Sequence, residues 1–177
     1  MRYSGYSIWD LVWLAYCRCI TPIDIPKARM IRRPFYYRKA GILVGAHGLV
    51  TGVGNRVDIF HGAYMEIGDN VQINDYCHIG CAENIWIGHD TLIASHVFIS
   101  DHDHAVASVG SIPNSGGLVV KPVRIGNRVW IGEGVCVLKG VTIEDDVIIG
   151  ANSVVTKDLP RGCIAVGNPA KVIRFRF

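Results

Sequence analysis

The residues Ile99–Ala105, ISDHDHA, hold two histidines and two aspartates in four consecutive positions. Such a run suits a metal site, a general base, or a solvated polar loop. An imidazole with an ordinary pKa near ~6.5 can take a proton from a hydroxyl as it attacks a carbonyl, help typically worth about 10²–10⁴ in rate. An oxyanion formed in that attack needs a donor, a backbone N–H or a corner side chain. Choosing among the three depends on what the rest of the chain builds around these residues.

The chain has 177 residues, enough for one domain of ordinary size. Half are hydrophobic and 19% are charged, and the mean hydropathy is +0.27, so a large core, an interface or both must be buried. The net charge of +3 does not argue for nucleic acid, and no RNA- or DNA-binding signature appears. Six cysteines, Cys17, Cys19, Cys77, Cys81, Cys136 and Cys163, form no C-x-x-C pair. They read as reduced, mostly buried small apolar residues rather than zinc ligands or a disulfide framework.

A six-residue step governs most of the sequence. Ile125, Ile131, Val137, Ile143, Ile149 and Val155 form one series, with Val123, Val129, Val135, Val141, Val147 and Ser153 two residues before them. Ile67, Ile73 and Ile79 form another, and Ile87, Ile93 and Ile99 a third after a two-residue slip. Ile59 and Val53 extend the pattern upstream. A period of six fits neither an α-helix nor long strands. It fits a triangular coil of three short strands per turn, β-branched residues stacked inside, with Gly or Asn after the inward residue easing each corner. The expected fold is therefore all-β, a parallel β-helix of hexapeptide repeats. Ile99 and Ile125 are 26 positions apart, four hexads plus two, and the pattern is lost between them. A loop of about 105–122, carrying Pro113, Gly116 and Gly117, is inserted there. The expected organisation is a helical and basic N-terminal arm over 1–40, the β-helix over 41–160, and an extension over 161–177.

The stretch Val129–Arg174, VWIGEGVCVLKGVTIEDDVIIGANSVVTKDLPRGCIAVGNPAKVIR, resembles the hexapeptide-repeat acyltransferases. Within them it is most similar to the maltose and galactoside O-acetyltransferases and the acetyltransferases of exopolysaccharide and O-antigen synthesis. The resemblance covers roughly residues 38–175, and Ile31–Gly41, IRRPFYYRKAG, resembles the opening of the polysaccharide-linked members. It implies a left-handed helix, a homotrimer with active sites between subunits, and acetyl-CoA as co-substrate with no metal. The reaction implied is O-acetylation of a sugar or polysaccharide precursor without a covalent enzyme intermediate. Alternatives are an antibiotic- or xenobiotic-acetylating enzyme, an amino-sugar N-acetyltransferase, and a catalytically idle scaffold. In the family a histidine five residues after an interior aliphatic residue opens the excursion loop. From Ile99 that residue is His104, with His102 as a supporting group and Asp101, Asp103, Glu83 or a carbonyl to orient the ring.

The resemblance carries over further residues. Trp130, Gly132, Ala151, Thr156, Lys157, Lys171 and Arg174 become candidates for the coenzyme groove, the last two as charge-assisted phosphate donors. Glu133 departs from the small residue common there. Asn74 and Asp75 become acceptor candidates, with Tyr76 and Trp86 as aromatic surfaces for a sugar. The gamma-class carbonic anhydrases share this helix and bind zinc through three histidines, the last two five apart. Among His47, His61, His78, His89, His96, His102 and His104 no such triple occurs, because position 101 is Asp101.

Upstream of the repeat, Ile8–Ile20 is apolar apart from Asp10 and Arg18, with Ile8, Leu11, Val12, Ala15 and Cys19 at helical spacing. It is shorter than the ~20 residues of a spanning helix and lacks the basic start and cleavage site of a signal peptide. An amphipathic helix packed on the body is expected. Lys27, Arg29, Arg32, Arg33, Arg38 and Lys39 follow, with no acidic residue between Asp24 and Asp58. A solvated face is the ordinary reading of such a run. Contact with an anionic membrane bearing a lipid-linked saccharide is the sharper one, giving a cytoplasmic protein at the inner face of the membrane.

Overall fold

The computed structural model describes residues 8–20, 25, 27–32, 35–106, 108–110, 112 and 116–177. Pro113, Arg33 and the side chains of Asp10, Cys17, Arg18 and Arg38 lie outside the described residues. Because hexad residues alternate between inward and outward, each coil lays one short strand on each of three faces. The result is a left-handed parallel β-helix of about 6 turns.

The first face runs Met30–Ile31, Val50–Thr51, Gln72–Ile73, Leu92–Ile93, Trp130–Ile131, Ile148–Ile149 and Cys163–Val166. Lys171–Phe175 closes its end in antiparallel pairing. The second face runs Phe35–Lys39, Asn55–Ile59, His78–Cys81, Phe98–Ser100, Cys136–Val137 and Val154–Val155. The third runs Ile42–Gly45, Tyr64–Ile67, Asn84–Ile87, Val123–Ile125 and Thr142–Ile143. The register keeps the hexad in line: Ile73, Ile93, Ile131 and Ile149 stack on the first face, and Val57, Ile79, Ile99, Val137 and Val155 on the second. All twelve Ile and Val residues of the three series are at most 2% exposed. Two polar residues of the interior are bonded there, Thr91 Oγ1 donating to the Gly126 carbonyl and Ser153 Oγ to that of Gly150, whereas the buried Thr51 hydroxyl has no partner among the described residues.

Four local expectations shift. The left-handed backbone at the corners falls three residues after the inward one, at Asn70, Asp90, His96, Arg128 and Asn152. The glycine directly after the inward residue serves close approach instead. A Cβ at Gly132 would stand 2.7 Å from the Ala151 nitrogen in the next coil. At the start of the repeat Thr51, in register with Ile73, occupies the inward position, and Val53 is only half-buried. The first coil, 30–45, also begins inside the segment assigned to the arm, because its strands pair with 50–51, 55–59 and 64–67.

The helix α1 forms at Ile8–Ile20, but it is not packed down. Ile8, Trp9, Leu11, Val12, Trp13 and Tyr16 are each at least half exposed. It meets the body at the strand Met30–Ile31. Cys77, Cys81 and Cys163 are buried free thiols, Cys136 is half-buried and Cys19 is exposed.

Candidate active site

At the corner between the second and third faces the chain exceeds its six-residue step, with ten residues from Val57 to Ile67 and eight from Ile79 to Ile87, and the site forms there. Asp101 follows the inward Ile99 and Ser100 on the second face and is fully buried. Its carboxylate accepts three bonds. The Ala82 N–H donates to Oδ1 (2.8 Å), the Glu83 N–H to Oδ2 (2.7 Å), and His102 Nδ1 lies 2.9 Å from Oδ1. A carboxylate beside Nδ1 favours the tautomer with its proton there, which leaves Nε2 as the acceptor of a neutral ring. Ser100 fixes the backbone below, its Oγ donating to the His102 carbonyl (2.8 Å) and accepting from the His102 N–H (3.2 Å). Phe60 packs against the ring at 5.1 Å between centroids. Gly80 leaves room for it, since a Cβ there would come within 3.1 Å of His102 Cε1.

His102 thus stands oriented and mostly buried, its side chain 17% exposed. His104 is two residues on in a hairpin of His102–His104 with Leu118–Val120, where it pairs with Leu118. Its side chain is exposed and has no hydrogen-bond partner among the described residues. Asp103, between them, is ion-paired with Lys139. Both histidines line one cavity of about 290 Å³.

The opposite wall of that cavity holds residues the sequence reading did not single out. Arg56, His78 and Phe98 line up across the second face, as do Asp58, Gly80 and Ser100. Asp58 is buried, with Arg56 Nε at 2.5 Å and His78 Nε2 at 3.4 Å from its Oδ2. The available signal was coil length: steps of 22 and 20 residues connect 56, 78 and 98. The arrangement places a bonded imidazole across from a carboxylate, a guanidinium and an aromatic ring. That set can accept a hydroxyl proton on one side while holding neighbouring hydroxyls on the other.

The remaining candidates divide between two edges of the second face. Thr156 and Lys157 follow Val154–Val155 at the edge that carries His102, one coil beyond Leu138 and Lys139, and both are exposed. Asn74, Asp75, Gly132 and Ala151 lie at the other edge, following Ile73, Ile131 and Ile149. Neither Asn74 nor Asp75 lines the His102 cavity. Asp75 Oδ1 accepts from the Val53 N–H (2.8 Å) and Asn74 Oδ1 from Gln72 Nε2 (2.9 Å). Trp130 is half exposed on the first face, in one row with Ile148, Ile164 and Arg174. Lys171 and Arg174 are exposed on the closing strand. Glu133 lies 3.5 Å from His96, which stacks on Tyr76. Trp86 sits under the Arg124 guanidinium on the third face, its ring centroid 5.0 Å from the guanidinium carbon, and does not line the cavity of His102 and His104. Among the described residues no group of three or more His, Cys, Asp or Glu side chains is placed to hold a metal ion.

Residues 122–157 match the family model for bacterial transferase hexapeptide repeats (six repeats). A protein of Escherichia coli (strain K12) named as a lipopolysaccharide biosynthesis O-acetyl transferase, WbbJ, is 39% identical over 176 residues, 96% of this chain and 90% of its own. Among solved structures, a galactoside acetyltransferase in complex with coenzyme A is 31% identical with a TM-score of 0.53, over 80% of this chain and 64% of its own. The polysialic acid O-acetyltransferase OatWY is 26% identical with a TM-score of 0.63, over 80% of this chain and 68% of its own. With the β-helix and its histidine corner in place, the chain belongs to the hexapeptide-repeat acyltransferase family and is an acetyltransferase.

Proposed function

We propose that the chain moves the acetyl group of acetyl-CoA to a hydroxyl of a sugar in a polysaccharide or O-antigen precursor, with His102 as the general base. The observation that carries this reading is the buried Asp101 bonded to His102 Nδ1, which leaves Nε2 as the basic nitrogen toward the cavity. The acceptor hydroxyl gives its proton to Nε2 as its oxygen attacks the thioester carbon. The tetrahedral intermediate collapses with loss of the coenzyme thiolate, which recovers the proton from the imidazolium. His102 takes the role that the family resemblance gave to His104, because of the two only His102 has a carboxylate within hydrogen-bond distance among the described residues. His104 becomes the accessory group at the cavity rim. Asp58, with Arg56 and His78, is the acceptor shelf: a buried carboxylate receives a sugar hydroxyl and Phe98 offers a ring to its apolar side.

Trp130, Gly132, Ala151, Lys171 and Arg174 supply the coenzyme groove in this reading, with Thr156 and Lys157 at the histidine edge. Because these groups sit on separate edges of one prism, the full site needs the edge of a second copy set against the histidine corner of the first. That supports a homotrimer. Acetyl-CoA as donor places the reaction on the cytoplasmic side, at the inner face of the membrane if the acceptor is lipid-linked. The names of WbbJ and OatWY support a saccharide acceptor. The test is acetyl-CoA turnover, read by a thiol reagent, with surface polysaccharide precursors as acceptors. His102→Ala is expected to lower kcat by about 10²–10⁴ and His104→Ala by far less. Equal loss in both, or none in His102→Ala, overturns the assignment. Coenzyme binding with no transfer to any acceptor favours the idle scaffold.

A further inference from the structure

The helix α1 presents apolar side chains to solvent on two adjoining stripes. Trp9, Trp13 and Tyr16 recur at i, i+4 and i+7, and the Trp13 and Tyr16 rings lie 5.5 Å apart. Ile8, Leu11, Val12, Ala15 and Cys19 form the stripe beside them, and every one of these eight residues is exposed. A helix this apolar is ordinarily covered. At 13 residues it is about 20 Å long, short of the ~30 Å hydrocarbon core, and no described helix is long and apolar enough to cross a membrane.

Charge decides what covers it. The helix meets the body at the strand Met30–Ile31, which Arg29 and Arg32 flank in sequence. Lys27, Arg29 and Lys39 are exposed, and no acidic residue stands between Asp24 and Asp58. A second copy of the chain would bring the same basic edge against itself. An anionic lipid surface is complementary to both parts: aliphatic residues enter the acyl boundary, Trp and Tyr sit at headgroup level, and the cations meet the negative leaflet.

We infer that α1 and the basic segment after it form an in-plane docking surface for an anionic lipid bilayer. Docking there would hold the enzyme at the membrane, where a lipid-borne saccharide would be presented. Only that last role rests on the proposed acetyl transfer; the docking itself does not.

The test is co-sedimentation of the full chain with phosphatidylcholine vesicles and with mixed phosphatidylcholine–phosphatidylglycerol vesicles, with neither acetyl-CoA nor acceptor present. The expected result is recovery with the mixed vesicles alone, weakening as salt rises. Trp9→Glu/Trp13→Glu is expected to abolish it. Lys27→Gln/Lys39→Gln, which leaves the helix untouched, is expected to weaken it about 30-fold, the loss of two surface cations. His102→Ala is expected to bind as the parent does, so docking and catalysis can fail separately. Circular dichroism and thermal unfolding of each variant check that the β-helix is intact. No recovery with mixed vesicles, equal recovery with neutral ones, or binding unchanged in both double variants overturns the inference. So does a fall in oligomeric mass of the tryptophan variant when the parent binds no lipid, which would make α1 an interface between copies.

Discussion

Replacing Asp101 with asparagine exchanges one carboxylate oxygen for an NH₂ group and is expected to cost both rate and stability. In the folded chain Oδ1 accepts from the Ala82 N–H and faces His102 Nδ1, while Oδ2 accepts from the Glu83 N–H. An asparagine can keep its oxygen toward Ala82 and His102 only by aiming its NH₂ at the Glu83 N–H, donor against donor. The stranded N–H costs about 1–3 kcal/mol, a fall in Tm of about 2–12 °C for a domain of this size. The bond to His102 survives but loses its charge. A charge-assisted bond is worth about 1.5–3 kcal/mol and a neutral one about 0.5–1.5. The difference of about 1–1.5 kcal/mol lowers kcat about 5- to 10-fold. The assay is coenzyme thiol release at saturating acetyl-CoA, at a temperature where D101N is fully folded, together with a thermal melt. Because Asp101 acts through His102, D101N added to His102→Ala is expected to cost no further kcat. An unchanged kcat in D101N, or an undiminished effect in the His102→Ala background, refutes the reasoning.

Two further outcomes follow from the same geometry. Gly80→Ala adds a methyl 3.1 Å from His102 Cε1, so the ring must move by a few tenths of an ångström; kcat is expected to fall about 2- to 10-fold with Tm nearly unchanged, and wild-type kcat would remove Gly80 as a positioning residue. Burial pushes the Cys77 thiol up to about 11 and the Cys81 thiol up to about 12, from an ordinary 9.0. The folded chain therefore holds these protons more tightly than the unfolded one. Their contribution is fully present below pH 9 and is lost as pH rises toward 11 and 12. The urea midpoint is expected to drop across that window, and less so in a Cys77→Ala/Cys81→Ala variant.

The fold was legible because its core is periodic in the chain itself. Each coil buries residues two apart in sequence, so Val141 and Ile143 announce their own positions. The site was less legible because it is assembled across coils. The family's five-residue spacing, counted from Ile99, is a distance along the chain, and it points to His104. What orients His102, the base proposed above, is non-local: Asp101 accepts from the Ala82 and Glu83 amides, and its backbone is held between the Gly80 carbonyl and the Lys121 N–H. Arg56, Asp58 and His78 escaped notice for the same reason, since 20 to 22 residues separate neighbours that touch in space. Helix α1 shows the opposite failure. Its periodicity gave the right secondary structure, but a hydrophobic pattern says only that something covers it.

A triangular prism has convex edges, and convexity sets how such a chain can become an enzyme. Its interior is a closed column of Ile and Val, with no cleft to line. The histidine corner stands where the repeat is broken, by the longer steps from Val57 to Ile67 and from Ile79 to Ile87 and by the inserted hairpin after Ile99. Those breaks create a cavity of about 290 Å³ at the histidine corner, at the lower limit for small-molecule sites and too small for a coenzyme with its acceptor. At the other edge Gly132 packs closely on Ala151 of the next coil, and the proposed reading lays the long thin coenzyme along it. In the proposed assembly each copy lends this edge to its neighbour's broken one, so a regular solenoid gains a cleft without interrupting its core.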